Sequence, residues 1–186
     1  MEWVDIIKPP NSRSLPDVPT REEVQRLINS VYRLRYHMYF FTIYSMGLRL
    51  GEGLALEIGD IDAAQKLVHV HQGKGGKDRY VPLPDATLQH LRRFWSTHRH
   101  PRLLFPNGIG NEASARTARS PMDRGGVQAA INAARISCGI HKHLTVHSLR
   151  HAYATRLLEL GVDPLSIQVV QGHQKPETTV RYAHLT

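Results

Sequence analysis

The sequence predicts an α+β fold, a mainly helical domain carrying one small antiparallel β-sheet. Three observations predict it. Apolar residues recur at helical spacing over most of the chain from Thr20 onward, and only residues 66–82 alternate around a glycine-rich turn. At 186 residues the chain can bury one sizeable core.

Met1 to Pro19 carries Pro9, Pro10, Pro16 and Pro19 among Asn, Ser, Arg and Asp, which is linker composition. A partial amphipathic turn around Trp3, Ile6 and Ile7 reads as the remnant of a preceding segment. The domain is therefore expected over residues 20–186, with residues 1–19 as linker or remnant. Thr20-Arg21-Glu22-Glu23 is a capping box, followed at helical spacing by Val24, Leu27, Ile28 and Val31. A second helix is expected from about Arg35 to Met46, with Tyr36, Tyr39, Phe40, Ile43 and Tyr44 on a wide apolar face. Gly47 breaks it, and Leu48, Leu50, Leu54 and Leu56 supply the next short helix. Arg49 stands among these leucines. A charge so placed must snorkel, pair or meet an anion, and Glu52 three residues on is the obvious partner.

Lys66 to His71 alternates as a strand, Gly73 to Lys77 is a turn, and Asp78 to Pro82 returns, with a third strand expected near Ile58 to Ile61. GKGGK at the turn lacks the glycine spacing and the following Ser or Thr of a nucleotide loop, which argues against nucleotide binding. Asp85 opens a helix with Leu88, Leu91, Phe94 and Trp95, whose outer face is expected to carry Arg92, Arg93, His98, Arg99 and His100. Leu103 to Pro106 reads as a short buried segment and Asn107 to Ser120 as a polar loop with Arg116 and Arg119. Met122 to Ile136 is expected to be helical, with Val127, Ala130, Ile131 and Ala134 inward.

The last forty-odd residues organise the rest. Thr145 caps a helix on which His147, Arg150 and His151 share one face and Leu149, Tyr153, Leu157 and Leu160 form the opposite stripe. Gly161 ends that helix, Asp163 and Pro164 start another, and Gly172 closes it just before His173. Pro176 starts a final helix carrying Tyr182. A cationic pair, a histidine at a turn and a tyrosine on a separable helix make sense together around a phosphate.

The net charge of +8 favours a polyanionic partner, and the lysines and arginines cluster around these same motifs, which points to nucleic acid. Cys138 is the only cysteine, so no disulfide forms within the chain, and a reducing cytoplasm is the expected compartment. No apolar run approaches the length of a membrane span, and no signal peptide is evident.

H-x-x-R at His147 to Arg150, G-H at Gly172-His173 and a tyrosine nine residues later resemble the C-terminal signature of the tyrosine recombinases, the phage integrase family. GLRLGEGLAL (Gly47 to Leu56) is similar to that family's first arginine motif, and HQGKGGKDRYVPLP (His71 to Pro84) to its lysine-bearing hairpin. The four motifs stand in the family's order. The resemblance implies the DNA breaking-rejoining fold and transesterification on double-stranded DNA. It implies that Tyr182 attacks the scissile phosphorus, that Arg49 and Arg150 hold the non-bridging oxygens, and that Lys74, with Lys77 as rival, protonates the leaving 5′-oxygen. His147 would assist proton transfer from Tyr182, His173 would hydrogen-bond the phosphate, and Glu52 would orient Arg49. Neither metal nor nucleotide cofactor is implied. The family works as a tetramer on DNA, with an N-terminal DNA-clamping domain and a tail that docks on a neighbouring subunit. Only Ala183 to Thr186 follow Tyr182, so this chain alone is expected to be monomeric and to bind DNA weakly.

Two other readings compete. Residues 156–171 resemble a helix-turn-helix, which would make a DNA-binding regulator without catalysis, but that leaves Arg49, Lys74 and Tyr182 without a task. His143, His147 and His151 recur every four residues, a spacing at which helical histidines share zinc. Thr145 caps the helix after His143, however, and no cysteine or acid completes a site.

Overall fold

The computed structural model describes residues 18–71, 78–108 and 112–172. Within them it has the expected α+β architecture, eight α-helices and a three-stranded antiparallel sheet. The linker reading over residues 1–17, the hairpin tip at residues 72–77 and everything after Gly172 lie outside the described residues.

Helix α1 (Arg21–Asn29) begins at the capping box expected from sequence. Thr20 Oγ1 accepts the Glu23 N–H at 3.2 Å, and Glu23 Oε2 accepts the Thr20 N–H at 2.8 Å. Helix α2 (Leu34–Met46) is the core's central rod, with Tyr39, Phe40 and Ile43 fully buried and α1 against it. Gly47 closes α2 in the left-handed conformation, φ 62°. A Cβ on Gly47 would lie 2.3 Å from the Tyr153 ring, so glycine serves both the turn and a close approach. Helix α3 (Leu50–Ala55) is short, and its Gly53 lets Ile43 pack against the backbone, since a Cβ there would meet Ile43 Cδ1 at 2.5 Å. Gly53 weakens α3's propensity but brings close packing in return.

The sheet joins β1 (Ile61–Asp62), β2 (Leu67–Val70) and β3 (Arg79–Pro82) in that order. Val68 pairs with Val81 and His69 with Tyr80, and the two valines face the core. The third strand is displaced from its expected place, because Ile58–Asp60 winds into a 3₁₀ turn in which Asp60 accepts the Glu57 N–H at 2.8 Å. The second strand also starts one residue late, since Lys66 has φ 56° and cannot extend the ladder.

Helix α4 (Asp85–His98) buries Leu88, Leu91 and Phe94 as expected. His98 and His100, read as outer-face residues, are instead buried at 5% exposure each. His98 lies four residues beyond Phe94, on the helix's inner stripe, and stacks edge-on to it at 4.9 Å. The His100 ring ties the following loop, accepting the Leu103 N–H at 2.8 Å and reaching the Ala118 carbonyl at 2.9 Å. The polar loop after Pro106 contains a one-turn helix, α5 (Glu112–Arg116). Helix α6 (Arg124–Ser137) starts two residues later than expected, because Asp123 caps it by accepting the Gly126 N–H at 2.8 Å.

Helices α7 (Val146–Glu159) and α8 (Pro164–Gln171) follow the expected punctuation, with Asp163 capping α8 and Gly172 in the left-handed region at φ 61°. Leu160 departs from the expected stripe, being 60% exposed just past the end of α7. A large cluster formed by α1, α2, α4, α6, α7 and the sheet makes the core, and Ala154 and Ile167 make a small satellite between α7 and α8. Among the described residues no helix is long and apolar enough to cross a membrane.

Candidate active site

Arg49 is the N-cap residue of α3, and Glu52 sits in its first turn. The Glu52 carboxylate accepts the Arg49 backbone N–H at 2.8 Å through Oε2 and the Arg49 guanidinium at 2.6 Å through Oε1. The expected Arg49–Glu52 pair is therefore present.

A second arginine holds the same carboxylate more squarely. Arg79, on β3, donates through Nη1 and Nη2 to Glu52 Oε1 and Oε2, at 2.8 Å each. This parallel, two-bond geometry is the strongest a guanidinium can offer a carboxylate. Sequence reasoning missed Arg79, although a signal existed. Alternation along β3 puts Arg79 on the same face as buried Val81, and an arginine on an inward face needs a partner.

Arg150 completes the cluster from α7. Sequence placed it on a polar face beside His147 and His151. It is in fact 1% exposed, donating to the Gly47 carbonyl at 2.7 Å and to the Gln171 carbonyl at 2.5 Å, with Glu52 3.8 Å away. Gly47 at the end of α2 and Gln171 at the end of α8 flank it. Arg49 also donates to the Gly172 carbonyl at 2.7 Å, and Arg79 to that of Val170 at 2.9 Å. Three arginines thus satisfy carbonyls at the end of α8 that lack intrahelical partners, at the pole where the helix dipole is negative. Sequence distance hides this: the Val170 carbonyl lies 91 residues from Arg79 and the Gly172 carbonyl 123 from Arg49.

The electrostatics follow. Burial raises the Glu52 pKa, but the Arg79 bonds, the Arg49 N–H and the Arg49 guanidinium outweigh it and hold the carboxyl at about 2. Glu52 is charged at any physiological pH, yet three guanidiniums surround this one carboxylate. The cluster carries an excess of two positive charges, and Arg49, 22% exposed, is its most accessible side chain. That excess suits a phosphodiester.

His147, in the first turn of α7, is exposed, and its ring lies 4.5 Å from that of His151. Partial desolvation of the ring lowers its pKa below the usual imidazole value, and repulsion by Arg150 and then Arg49 lowers it further. Its neutral form, a proton acceptor, therefore dominates at neutral pH. His151 is driven down to about 4, by burial first and then by His147 and Arg150.

The structure thus brings together Arg49, Glu52, Arg150 and, through its electrostatic coupling to both arginines, His147. Lys74, its rival Lys77, His173 and Tyr182 lie outside the described residues. His143 precedes α7, so the four-residue histidine repeat is not one helical face. The group of described residues whose donor atoms converge closely enough for a metal ion is a different one, His69, His71 and Asp78 on the hairpin.

Comparison with known proteins identifies the family and the fold. Residues 18–186 match the phage integrase family. The chain is 38% identical over 177 residues to y4qK of Sinorhizobium fredii, provisionally named an integrase/recombinase, covering 95% of this chain and 55% of that protein. It is 33% identical over 183 residues to the tyrosine recombinase XerD of Staphylococcus saprophyticus, covering 96% of this chain and 61% of XerD. The crystal structure of XerA recombinase superposes with a TM-score of 0.76 at 28% identity, covering 98% of this chain and 64% of that one. This chain therefore spans a little over half the length of the relatives it matches. These comparisons give the helix-turn-helix regulator no support. By sequence, by fold and by the order of its motifs, the chain belongs to the phage integrase family.

Proposed function

We propose that residues 20–186 are the catalytic unit of a site-specific recombinase that cleaves and rejoins double-stranded DNA. The observation that carries this reading is the cluster of Arg49, Arg79 and Arg150 around a single carboxylate, with a neutral imidazole nearby. In the proposed reaction Tyr182 Oη attacks the scissile phosphorus. The bond from phosphorus to the 5′-oxygen breaks, leaving a 3′-phosphotyrosyl link and a free 5′-hydroxyl. The tyrosine proton passes toward His147, and Lys74, with Lys77 as rival, supplies the proton taken up by the departing 5′-oxygen. Phosphodiester chemistry is conserved throughout, so rejoining is the same step run backward by a 5′-hydroxyl.

Arg49 and Arg150 stabilise the charge that builds on the non-bridging oxygens, and His173 hydrogen-bonds the phosphate. Arg150 is too well covered to do so without exchanging a partner. Its bond to the Gln171 carbonyl is the one given up for a phosphate oxygen, while the bond to Gly47 holds the guanidinium in place. Glu52 orients the cations and keeps its charge throughout the reaction. On this reading the chain works in the cytoplasm, is monomeric alone, and assembles as a tetramer on DNA only in the context of a full-length protein.

The direct assay is single-turnover cleavage of nicked duplexes in EDTA. Arg49→Ala and Arg150→Ala should each lower the rate by about 10²–10³, the worth of one preorganised donor to a developing oxyanion. Cleavage that vanishes in EDTA and returns with Mg²⁺ would place the chain in a different mechanistic class.

A further inference from the structure

The sheet's outward face carries a cluster that the recombination chemistry does not use. Val68, Val70 and Val81 point into the core, so His69 and Tyr80 stand on the opposite face. His71 and Asp78 continue the same alternation one step beyond the last paired residues, Val70 and Arg79. His69 Nε2 lies 3.1 Å from Asp78 Oδ2, and His71 Nδ1 lies 3.5 Å from the same oxygen. One donor atom from each of the three residues falls within 4.8 Å of the others.

We propose that His69, His71 and Asp78 form a binding site for a divalent transition-metal ion, with Zn²⁺ as the expected occupant. Three features carry the proposal beyond a surface ion pair. The first is spacing. Ligands about 2.0–2.1 Å from a tetrahedral zinc stand roughly 3.3 Å apart, and the two measured edges lie on either side of that value. The second is tautomer. His71 Nε2 is 2.7 Å from Asp60 Oδ1, a contact that suits an N–H on that nitrogen and makes Nδ1, which faces Asp78, the nitrogen placed to ligate. Asp60 is itself held, its side chain 9% exposed and its other oxygen accepting the Glu57 N–H. A carboxylate behind a ligating imidazole is the arrangement that orients metal-binding histidines. The third is ring placement, since Tyr80 stacks on His69 at 4.8 Å with an interplanar angle of 17°.

Two imidazoles and a carboxylate form a three-ligand set whose fourth position opens to solvent. Such an ion would take no part in the transesterification, which needs none, although Asp78 directly precedes Arg79 of the cluster. It would instead join the two chain positions that flank residues 72–77, the segment whose sequence holds Lys74 and Lys77.

The test is isothermal titration of the tag-free, EDTA-stripped 186-residue chain with Zn²⁺, together with the visible spectrum of the Co²⁺ complex. One equivalent should bind, with the bands of tetrahedral Co²⁺. His71→Ala and Asp78→Asn should each weaken binding at least ~10-fold, and Asp60→Asn about 10–100-fold, while His151→Ala leaves it unchanged. Thermal melts of the stripped variants should match the parent and so separate lost ligands from lost folding. The proposal is overturned if the parent shows no saturable binding, or if one-equivalent binding survives in both His71→Ala and Asp78→Asn.

Discussion

Arg79 of β3 grips Glu52 of α3 with two parallel bonds of 2.8 Å, and its remaining Nε–H reaches the Val170 carbonyl at the end of α8. One side chain therefore ties the sheet to two helices that bracket the cationic cluster. Arg49 touches the same carboxylate, so Glu52 is shared between the arginine proposed to hold the phosphate and one that ties the sheet to α8.

Lysine should not replace Arg79. A single ammonium cannot make the parallel pair and the bond to Val170 together. Arg79→Lys is expected to cost about 1.5–3 kcal/mol of stability by urea unfolding, the range for lost hydrogen bonds to a charged group. Cleavage should fall as well, because Glu52 then swings with Arg49. A variant matching the parent in both measurements would show that Arg79 is not the strut described.

Acid should loosen the site through Glu52. Its folded pKa of about 2 lies below the ordinary carboxylate value of 4.5, so the stability it confers is fully present above pH 4.5. That stability is lost as pH falls from 4.5 toward 2, and for this 7% exposed side chain it amounts to roughly 3 kcal/mol. Glu22, Glu23 and Asp163 also have lowered pKa values and contribute to the same limb. The informative quantity is therefore the difference between the parent and Glu52→Gln, which should shrink across this window. A constant difference from pH 6 to 2.5 would contradict the assignment.

His147 should set an acid limb in the rate of cleavage. Its pKa is lowered below 6.5, so its basic form is lost only as pH drops below that value. The single-turnover rate should hold from pH 7 to 6.5 and fall beneath it, and His147→Ala should be slower with this limb removed. A limb centred above pH 6.5 would exclude His147 as the proton acceptor.

Local signals in the sequence were enough to outline the fold. The box at Thr20 and Glu23, the cap at Asp163 with Pro164, and the stops at Gly47 and Gly172 all act within a few residues, and all appear where expected. Long-range relations were harder to read. The Arg79–Glu52 bond joins residues 27 apart, and Arg150 is buried by a packing partner more than 100 residues away. His98 misled for another reason, because it was weighed by charge while its spacing from Leu91 and Phe94 carried the information, and His100 is buried by loop contacts beyond the helix end. Arg49, Glu52 and Arg150 were legible as a set from motif resemblance, yet the Gln171 and Gly172 carbonyls to which the two arginines donate lie at the far end of α8, a contact that local sequence does not announce.

The central claim is that Tyr182 becomes covalently joined to DNA at a site built by Arg49 and Arg150. The measurement is capture from a pool of nicked duplexes of randomised sequence, followed by denaturing electrophoresis and mass spectrometry of the modified peptide. The account predicts a denaturant-resistant adduct with the nucleotide on Tyr182, and a Tyr182→Phe variant that binds DNA but forms none. An adduct on another residue, or one that persists in Tyr182→Phe, would contradict it.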